Sequence, residues 1–228
     1  MNFIILLLFF GGTTAFLHTR RDILKTTMSP TLLLSDNKEN KGEIEMLHLP
    51  QENTFNQKLK IQFYSGITQE SCLQLNNALL SMNEKANIMR LNYPEIQFPI
   101  HLHIQSPGGS LMDVYYLCDV IQSLDNPVYT YVDGYAASAA TLLSVCGKKR
   151  FMSKNSFMLI HQLSSGMTGK YTEMKTEISN LDIFMSQLES IYLQNTNIEI
   201  NELKLLLSSD LWLNSTLCKH YGLVDTIL

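Results

Sequence analysis

The sequence predicts an α/β domain with a largely parallel sheet whose faces are covered by helices. Short segments rich in Val, Ile and aromatic residues alternate with amphipathic segments at short intervals, the order that builds parallel sheets. The chain has 228 residues, of which 45% are hydrophobic, and this suits one domain with a sizeable core. Its formal net charge of −4 provides no basic surface for nucleic acid, so no nucleic-acid partner is expected.

Residues 1–45 are interpreted as a cleavable leader and linker, and residues 46–228 as the folded domain. The apolar run Phe3–Phe10 is too short to span a bilayer, and the small residues after it, ending at Ala15, resemble a signal-peptidase site. The next segment is rich in Thr, Ser and basic residues, as transit peptides are. Such a two-part leader resembles those that direct proteins into the plastid stroma of algae with secondary plastids. A secretory or other organellar destination is the alternative.

The first half of the domain alternates strands and helices. Thr68 is a suitable N-cap, and the apolar residues that follow it recur at helical spacing. Gly134 is expected to close the third strand. The predicted order is strand 58–66, helix 68–86, strand 98–105, helix 111–124, strand 127–134 and helix 137–147.

The second half is predicted to contain two short strands and a long helix. The strands are expected within 150–153 and 156–162, and an amphipathic helix from Thr172 to Gln194. No strand of matching length follows this helix, so we expect it to cover a sheet face or to pack between subunits. A shorter helix at 202–209 and the segment 221–228 complete the chain.

Four cysteines bear on the redox compartment. Cys72, Cys118, Cys146 and Cys218 are widely spaced and lack the spacing of metal ligands. They are predicted to be buried thiols in a reducing compartment rather than a disulfide framework.

The stretch GYAASAATLL places Ser138 where a strand gives way to a helix. The unpaired N–H groups at a helix start favour negative charge, so an oxyanion formed by attack of Ser138 would be stabilised there. The surrounding alanines would let a substrate carbonyl approach closely. The same small residues would equally suit a tight strand–helix crossing, and this stretch alone leaves both interpretations open.

A serine nucleophile needs a base, and the base needs a group that orients it. His161 ends the apolar run SFMLIH, and active-site groups of α/β sheets often lie at strand ends. The downstream aspartates Asp182, Asp210 and Asp225 are the candidates for the orienting group, and Asp210 is favoured because it lies in a loop between a short helix and LWLN.

The remaining histidines of the domain have plainer interpretations. His101 and His103 alternate on one strand, and such a pair could hold a metal, but no third ligand has suitable spacing. A polar or partly exposed strand face is therefore expected. His220 lies near a turn and is expected at the surface.

The segment Ser106–Ser110, SPGGS, forms a turn between a strand and a helix. Its glycines permit positive φ and a close approach of backbone to a ligand. It has neither the Lys-Ser/Thr of a P-loop nor a G-x-G-x-x-G pattern, so nucleotide binding is not indicated. It would suit a phosphate or supply an N–H to an oxyanion formed at Ser138.

Taken together, five motifs resemble the proteolytic subunit of the ATP-dependent Clp protease family, a serine peptidase family (S14) with the Clp/crotonase fold. They occur in the family's order, over roughly residues 60–228: IQSPGGSL, GYAASAATLL, FMLIHQ, SSDLWLNS and YGLVDTIL. The resemblance implies repeated β-β-α units and a long helix that makes ring-to-ring contacts. It also implies stacked homo- or hetero-oligomeric rings around a chamber that receives unfolded protein from a Clp-type ATPase.

By this resemblance Ser138 is the nucleophile, His161 the general base and Asp210 the residue that holds the imidazole tautomer. Gly109 and Ala139 would supply the N–H groups of the oxyanion hole. The subunit itself would bind no cofactor and no metal, since ATP is used by the partner ATPase.

This sequence departs from the family pattern at two surfaces. His101 and His103 replace two aromatic residues, and Asp133 an apolar residue, in the pocket that receives the loops of the ATPase. Near the substrate groove and the ring-to-ring contacts, Leu163, Ser165 and Ser209 replace a proline, a glycine and an arginine. Peptide hydrolysis is therefore better supported by the sequence than docking to a standard ATPase.

Two other functions remain as alternatives. The chain would be a weakly active or non-cleaving structural subunit of a mixed ring, although such a subunit need not keep Ser138, His161 and Asp210. It would otherwise be an acyl-CoA enzyme of the crotonase type, which uses backbone N–H groups and does not need this triad.

Overall fold

A largely parallel sheet organises residues 59–228, the part of the chain that the computed structural model describes. Its strands are β1 (Lys60–Phe63), β2 (Ile100–Ser106), β3 (Val128–Ala137), β4 (Lys149–Met152), β5 (Phe157–Leu159), β6 (Trp212–Asn214) and β7 (Thr226–Ile227). The order across the sheet is β1–β2–β3–β4–β7, while β5 pairs with β3 and β6 pairs with β5. Among these pairs, β5–β6 alone is antiparallel.

Helices connect the strands, as parallel pairing requires. They are α1 (Gln69–Asn92), α2 (Leu111–Ser123), α3 (Ala139–Val145), α4 (Tyr171–Asn195), α5 (Ile200–Leu207) and α6 (Ser215–His220). Thr68 caps α1, where its hydroxyl accepts from the Ser71 N–H and the Ser71 hydroxyl accepts from the Thr68 N–H in return. Within residues 59–228, no helix is long and apolar enough to cross a bilayer.

The core lies between the sheet and its helices. Ile100, Leu102 and Ile104 of β2 are fully buried, and so are Val114 and Leu117 of α2. Each such side chain contributes about 1.5–3 kcal/mol relative to an exposed one. All seven residues of α3 are buried, which explains why this helix consists of small and aliphatic residues, with Thr141 and Ser144 as its two polar members. The helix that follows the candidate nucleophile is therefore fixed inside the core.

The fold class is confirmed, as is the burial of all four cysteines as free thiols. Helix α1 runs to Asn92 rather than to residue 86, and the helix α6 was not predicted. The order β-β-α occurs once among the described residues, at β4–β5–α4, whereas the first half is a plain β-α alternation. The predicted leader and linker lie outside the described residues.

One boundary matters for the site: β3 continues to Ala137 instead of ending at Gly134. Its register against β2 shifts after Ile104, so that Ser106 pairs with Ala136. The prediction failed because a glycine in a strand also marks an irregularity of this kind. As a result, Ser138 follows the last strand residue directly.

Candidate active site

Ser138 occupies a sharp turn between β3 and α3. Its φ is 56° and its ψ is −132°, and it is the only non-glycine residue with positive φ in the described part of the chain. Its N–H donates to the Leu159 carbonyl at 2.8 Å, so the turn is fastened to the end of β5. Such backbone strain persists only where surrounding structure imposes it, and it concentrates at functional sites.

The SPGG turn lies directly against Ser138. A Cβ added to Gly108, whose φ is +87°, would meet the Ala137 carbonyl oxygen at 2.5 Å and the Ser138 Cβ at 2.7 Å. The Gly108 carbonyl accepts from the Ile67 N–H at 2.8 Å, and the Ser110 N–H donates to the Ile67 carbonyl at 3.0 Å. These bonds hold the turn beside the serine, where only glycine fits.

Sheet register brings His161 and Asp210 together. In the antiparallel pair β5–β6, Phe157 faces Asn214 and Leu159 faces Trp212. Continuing this register by two residues places His161 opposite Asp210. The side chains meet there, with His161 Nδ1 at 3.5 Å from Asp210 Oδ1.

The contact between these two side chains is open to solvent on the aspartate side. The His161 side chain is 25% exposed and the Asp210 side chain 84% exposed, and their separation exceeds an ordinary hydrogen bond. The backbone is better fixed, because the Gln162 N–H donates to the Leu207 carbonyl at 2.8 Å. The strand end that carries the histidine is thereby tied to the end of α5, three residues before the aspartate.

The same strand β5 also pairs with β3. In this parallel register Ala137 faces Leu159, so the residues that follow them, Ser138 and Ile160, lie side by side. The ends of β3 and β5 and the start of β6 therefore meet at one edge of the sheet. The structure thus places Ser138 at the level of Ile160, next in sequence to His161, whose side chain contacts Asp210.

The predicted oxyanion donors belong to the same two turns. The N–H of Ala139 is the first of α3, and an N–H in this position has no partner within its helix. Gly109 has a φ of +148°, and the bonds that its turn makes with Ile67 use the Gly108 carbonyl and the Ser110 N–H instead of its own N–H. Neither N–H is used by the hydrogen bonds that hold its own turn.

The other carboxylates considered as orienting groups lie elsewhere. Asp225 is engaged with Arg150, whose Nη2 lies 2.5 Å from Asp225 Oδ1. Burial alone would raise the pKa of Asp225, but the hydrogen bonds from Arg150 hold it below its ordinary value. Asp182 is exposed on α4.

His101 and His103 form a network on the opposite side of β2 from the aliphatic core, and His101 is more buried than expected. His101 Nδ1 contacts the Tyr131 hydroxyl at 2.8 Å, and the ring is 8% exposed. His103 stacks on Tyr131 with ring centroids 4.5 Å apart, and its Nδ1 lies 2.8 Å from Asp133 Oδ2. The described residues include no cluster of three ligands suited to a metal. His220 is exposed, as predicted.

Sequence reasoning missed one pair of hydroxyl groups. Thr141 in α3 and Tyr192 in α4 are buried together, and the Thr141 hydroxyl donates to the Ser138 carbonyl at 2.6 Å. Thr141 is a polar residue in a largely apolar helix, and this is the sequence feature that could have indicated a buried hydrogen bond. Its partner stands 51 residues away, and the sequence gives no sign of the pairing.

Comparison with known proteins gives a consistent result. The Clp protease family matches residues 52–228. The proteolytic subunit 2 of the ATP-dependent Clp protease of Treponema pallidum is 33% identical over 132 residues, covering 57% of this chain and 66% of the relative. The proteolytic subunit 1 of the ATP-dependent Clp protease of Chlamydia pneumoniae is 32% identical over 148 residues, which cover 62% of this chain and 78% of the relative.

The chain does not span the whole length of these relatives. It covers 66% of the Treponema pallidum subunit, just under two thirds, and 58% of the Rhodopirellula baltica subunit. In three dimensions it is similar to a point mutant of ClpP1 from Listeria monocytogenes, with a TM-score of 0.66, 21% identity, and coverage of 77% of this chain and 94% of that one. At this identity the likeness concerns the fold. The extent of the family match establishes that the chain belongs to the Clp protease family.

Proposed function

We propose that the chain is a serine endopeptidase subunit of a Clp-type compartmental protease. The observation that supports this proposal is the double pairing of β5, which brings Ser138 to the level of Ile160 through β3 and His161 against Asp210 through β6, beside the two turns that carry the candidate N–H donors. An acyl-transfer site needs these components: a nucleophile, a base, a group that orients the base, and donors for the oxyanion.

In the proposed reaction the Ser138 hydroxyl attacks the carbonyl of the scissile peptide bond. His161 takes the serine proton through Nε2, since its Nδ1 faces Asp210, and delivers it to the leaving amine. The N–H groups of Gly109 and Ala139 stabilise the tetrahedral oxyanion, and removal of one such donor typically costs about 10²–10³ in kcat. Water then hydrolyses the acyl-enzyme by the same base-assisted route.

Assembly and delivery of substrate follow from the same proposal. The relatives are named as proteolytic subunits of an ATP-dependent protease. We expect stacked rings, of one or several kinds of subunit, that enclose the sites and receive unfolded protein from a partner ATPase. The chain would bind no nucleotide or metal of its own.

The docking of this ATPase is proposed to differ from that of other family members. On the surface concerned, His103 is paired with Asp133, and the Asp133 carboxylate also accepts a hydrogen bond from the Tyr64 hydroxyl. His101 lies on the same strand and contacts the Tyr131 hydroxyl. A loop that docks by burying an apolar side chain would lose about 1–3 kcal/mol per side chain on a surface of this polarity. We therefore expect a partner with polar or charged docking residues.

The site of action is proposed to be the plastid stroma, on the composition of residues 1–45. Mass spectrometry of the mature N-terminus from native material checks this directly. A mature chain that begins near residue 46 supports a two-step removal of signal and transit segments. A chain that begins directly after Ala15 supports the secretory alternative.

A weakly active structural subunit is the second candidate, and one observation favours it. Asp210 is 84% exposed and lies 3.5 Å from His161, so the orientation of the imidazole depends on a contact open to water. In a mixed ring, such a subunit would complete the ring and cleave little substrate itself. The acyl-CoA alternative has no comparable support, because the chain belongs to the Clp protease family.

Hydrolysis of a fluorogenic peptide and of an unfolded protein by the purified, assembled chain distinguishes the two candidates. The peptidase proposal predicts turnover that Ser138→Ala abolishes while the assembly remains intact. A Ser81→Ala variant, at an exposed position on α1 and outside the proposed triad, serves as the control and keeps turnover. Intact assemblies without turnover of either substrate would favour the structural subunit.

A further inference from the structure

The hydroxyl pair of Thr141 and Tyr192 connects the long helix α4 to the turn that carries Ser138. Thr141 is fully buried and Tyr192 is 2% exposed, so neither hydroxyl is hydrated by bulk water. The two hydroxyl groups contact each other directly, and Thr141 also bonds the Ser138 carbonyl. Burial of polar groups is costly unless each has a partner, and here each partner is the other hydroxyl or the serine turn.

The direction of these hydrogen bonds follows from counting protons. A threonine hydroxyl has one proton, and Thr141 gives it to the Ser138 carbonyl at 2.6 Å. The Tyr192 hydroxyl must then be the donor to the Thr141 oxygen. Burial raises the pKa of Tyr192 above its ordinary value, so this proton is retained across the working pH range. The chain of donors therefore runs from α4 into the Ser138 carbonyl.

Hydrogen bonds that fix the Ser138 carbonyl also fix the direction of the Ala139 N–H. The Ser138 carbonyl and the Ala139 N–H belong to one planar trans peptide and point in opposite directions. The Thr141 N–H donates to the same carbonyl at 3.0 Å, so two donors hold the plane from one side. Any rotation of this plane would turn the Ala139 N–H away from the oxyanion.

We propose that Thr141 and Tyr192 are positioning residues, which hold the Ser138–Ala139 peptide plane so that the Ala139 N–H points at the oxyanion of the reaction. This inference rests on the proposed function, because it assigns the pair a role in that chemistry. The inference adds to that function a direct link from α4, through Tyr192 and Thr141, to the turn that carries Ser138. Neither residue touches the substrate.

The chain offers a matched control for this idea. Thr130 on β3 is also fully buried, and its hydroxyl donates to the Ser144 carbonyl at 2.8 Å, near the other end of α3. Thr130→Val and Thr141→Val both remove one buried hydroxyl that bonds a carbonyl of the α3 region, with little change of shape. If the role of Thr141 is purely structural, both variants lose stability, Thr141→Val more because it also leaves the Tyr192 hydroxyl without a partner, and both react with a serine probe at similar rates.

The first test is the rate at which a serine-reactive peptidyl phosphonate modifies Ser138. With a diphenyl ester as the probe, the serine oxygen bonds to phosphorus, one P–O bond to a phenoxy group breaks, and phenol leaves with the proton that His161 took from the serine. The rate therefore reports on stabilisation of the phosphonyl oxygen. We expect Thr141→Val to slow labelling by about ten- to a hundredfold, as misplacement of a reacting group does. Thr130→Val should label at a rate close to that of the unmodified chain, and Thr141→Ser, which keeps the hydroxyl, should restore most of the rate.

Peptide hydrolysis and a double variant separate positioning from stability. Thr141→Val should lower kcat and leave KM and the pH midpoint unchanged, because binding and the base are untouched. Adding Tyr192→Phe removes the unpartnered phenol and should recover thermal stability without recovering kcat. Equal loss of kcat in Thr130→Val and Thr141→Val, or recovery of kcat in the double variant, would overturn the inference.

A measurement independent of activity keeps the inference apart from the proposed function. Hydrogen exchange of the peptide 134–143 in the full chain should accelerate in Thr141→Val and remain unchanged in Thr130→Val. If the unmodified chain is folded but does not react with the phosphonate, the proposed function fails. If it reacts, and Thr141→Val changes neither exchange nor labelling, the positioning role alone is wrong.

Discussion

At the scale of single residues, the site depends on the backbone conformation of Ser138, which residues other than glycine rarely adopt. Its φ of 56° is maintained by a hydrogen bond from its N–H to Leu159 and by two bonds from Thr141 to its carbonyl. Strain of this kind costs about 1–3 kcal/mol and is balanced by the surrounding core. The exposed side-chain contact of His161 with Asp210 has no such support, so the two halves of the triad differ in rigidity.

His101 predicts a dependence of stability on mildly acidic pH. Burial first, and then the neighbouring His103 and Lys60, lower the pKa of His101 from 6.5 to about 4. Below pH 6.5 His101 is protonated in the unfolded chain, whereas in the folded chain it stays neutral until about pH 4. The free energy of unfolding therefore falls as the pH is lowered from 6.5 to about 4. The loss should amount to about 1–3 kcal/mol in urea unfolding experiments.

The control for this prediction is a histidine at the surface. His101→Phe should flatten the pH dependence between pH 6.5 and 4, whereas His220→Phe, at an exposed position, should leave it unchanged. An unaltered slope in His101→Phe would show that His101 is not the group responsible.

The candidate reactive residues could be proposed from the sequence because each lies in a short local motif. Ser138, His161 and Asp210 follow apolar segments whose ends were predictable within a few residues. The pairing of Thr141 with Tyr192 could not be predicted, because it depends on how α4 packs across α3. The burial of His101 was missed for the same reason, since the aromatic rings around it come from β3.

At the scale of elements, the sheet register assembles the site. β5 is three residues long, yet it pairs with β3 on one side and with β6 on the other. The extension of β3 past Gly134 is what carries Ser138 to the level of Ile160. Most element types were predictable from the apolar pattern, whereas β6 and α6, which follow Asp210, were not. The register was not, because it depends on a strand irregularity and on a pairing between segments distant in the sequence.

The SPGG turn gives a prediction at this scale. In Gly108→Ala the new methyl would lie 2.5 Å from the Ala137 carbonyl oxygen and 2.7 Å from the Ser138 Cβ, so the turn and the serine must move apart. We expect phosphonate labelling to fall by about a hundredfold or more. Stability should fall by about 1–3 kcal/mol, because the residue also has a φ of +87°.

Gly66→Ala is the matched control for the turn. Its methyl would lie 3.7 Å from the Gly108 carbonyl oxygen, an ordinary contact. This variant should label at nearly the unmodified rate. Similar rates in Gly108→Ala and Gly66→Ala would contradict the close packing of the turn on Ser138.

At the scale of the whole molecule, the long helix α4 carries exposed apolar side chains. Along α4, Tyr171 is 77%, Ile178 52% and Ile183 64% exposed. Apolar surface of this kind marks interaction sites in soluble proteins. The sequence predicted that this helix covers a sheet face or packs between subunits, and its exposed apolar residues are consistent with the proposed ring-to-ring contact.

Ring stacking gives a prediction for sedimentation. The double substitution Ile178→Glu/Ile183→Glu places charges on α4 and should convert stacked rings into single rings, halving the mass of the assembly. Leu205→Glu, at an equally exposed position on α5, should retain the full assembly. An unchanged mass in the double variant would place the ring-to-ring contact elsewhere on the subunit.

The central claim is that the sheet edge formed by β3, β5 and β6 is a working acyl-transfer site. Mass spectrometry of the chain after reaction with a serine-reactive phosphonate tests it most directly. We predict one adduct, on Ser138, which disappears in Ser138→Ala and forms far more slowly in His161→Ala, while His220→Ala labels normally. A folded chain that acquires no adduct, or one whose labelling is unaffected by His161→Ala, would contradict the account.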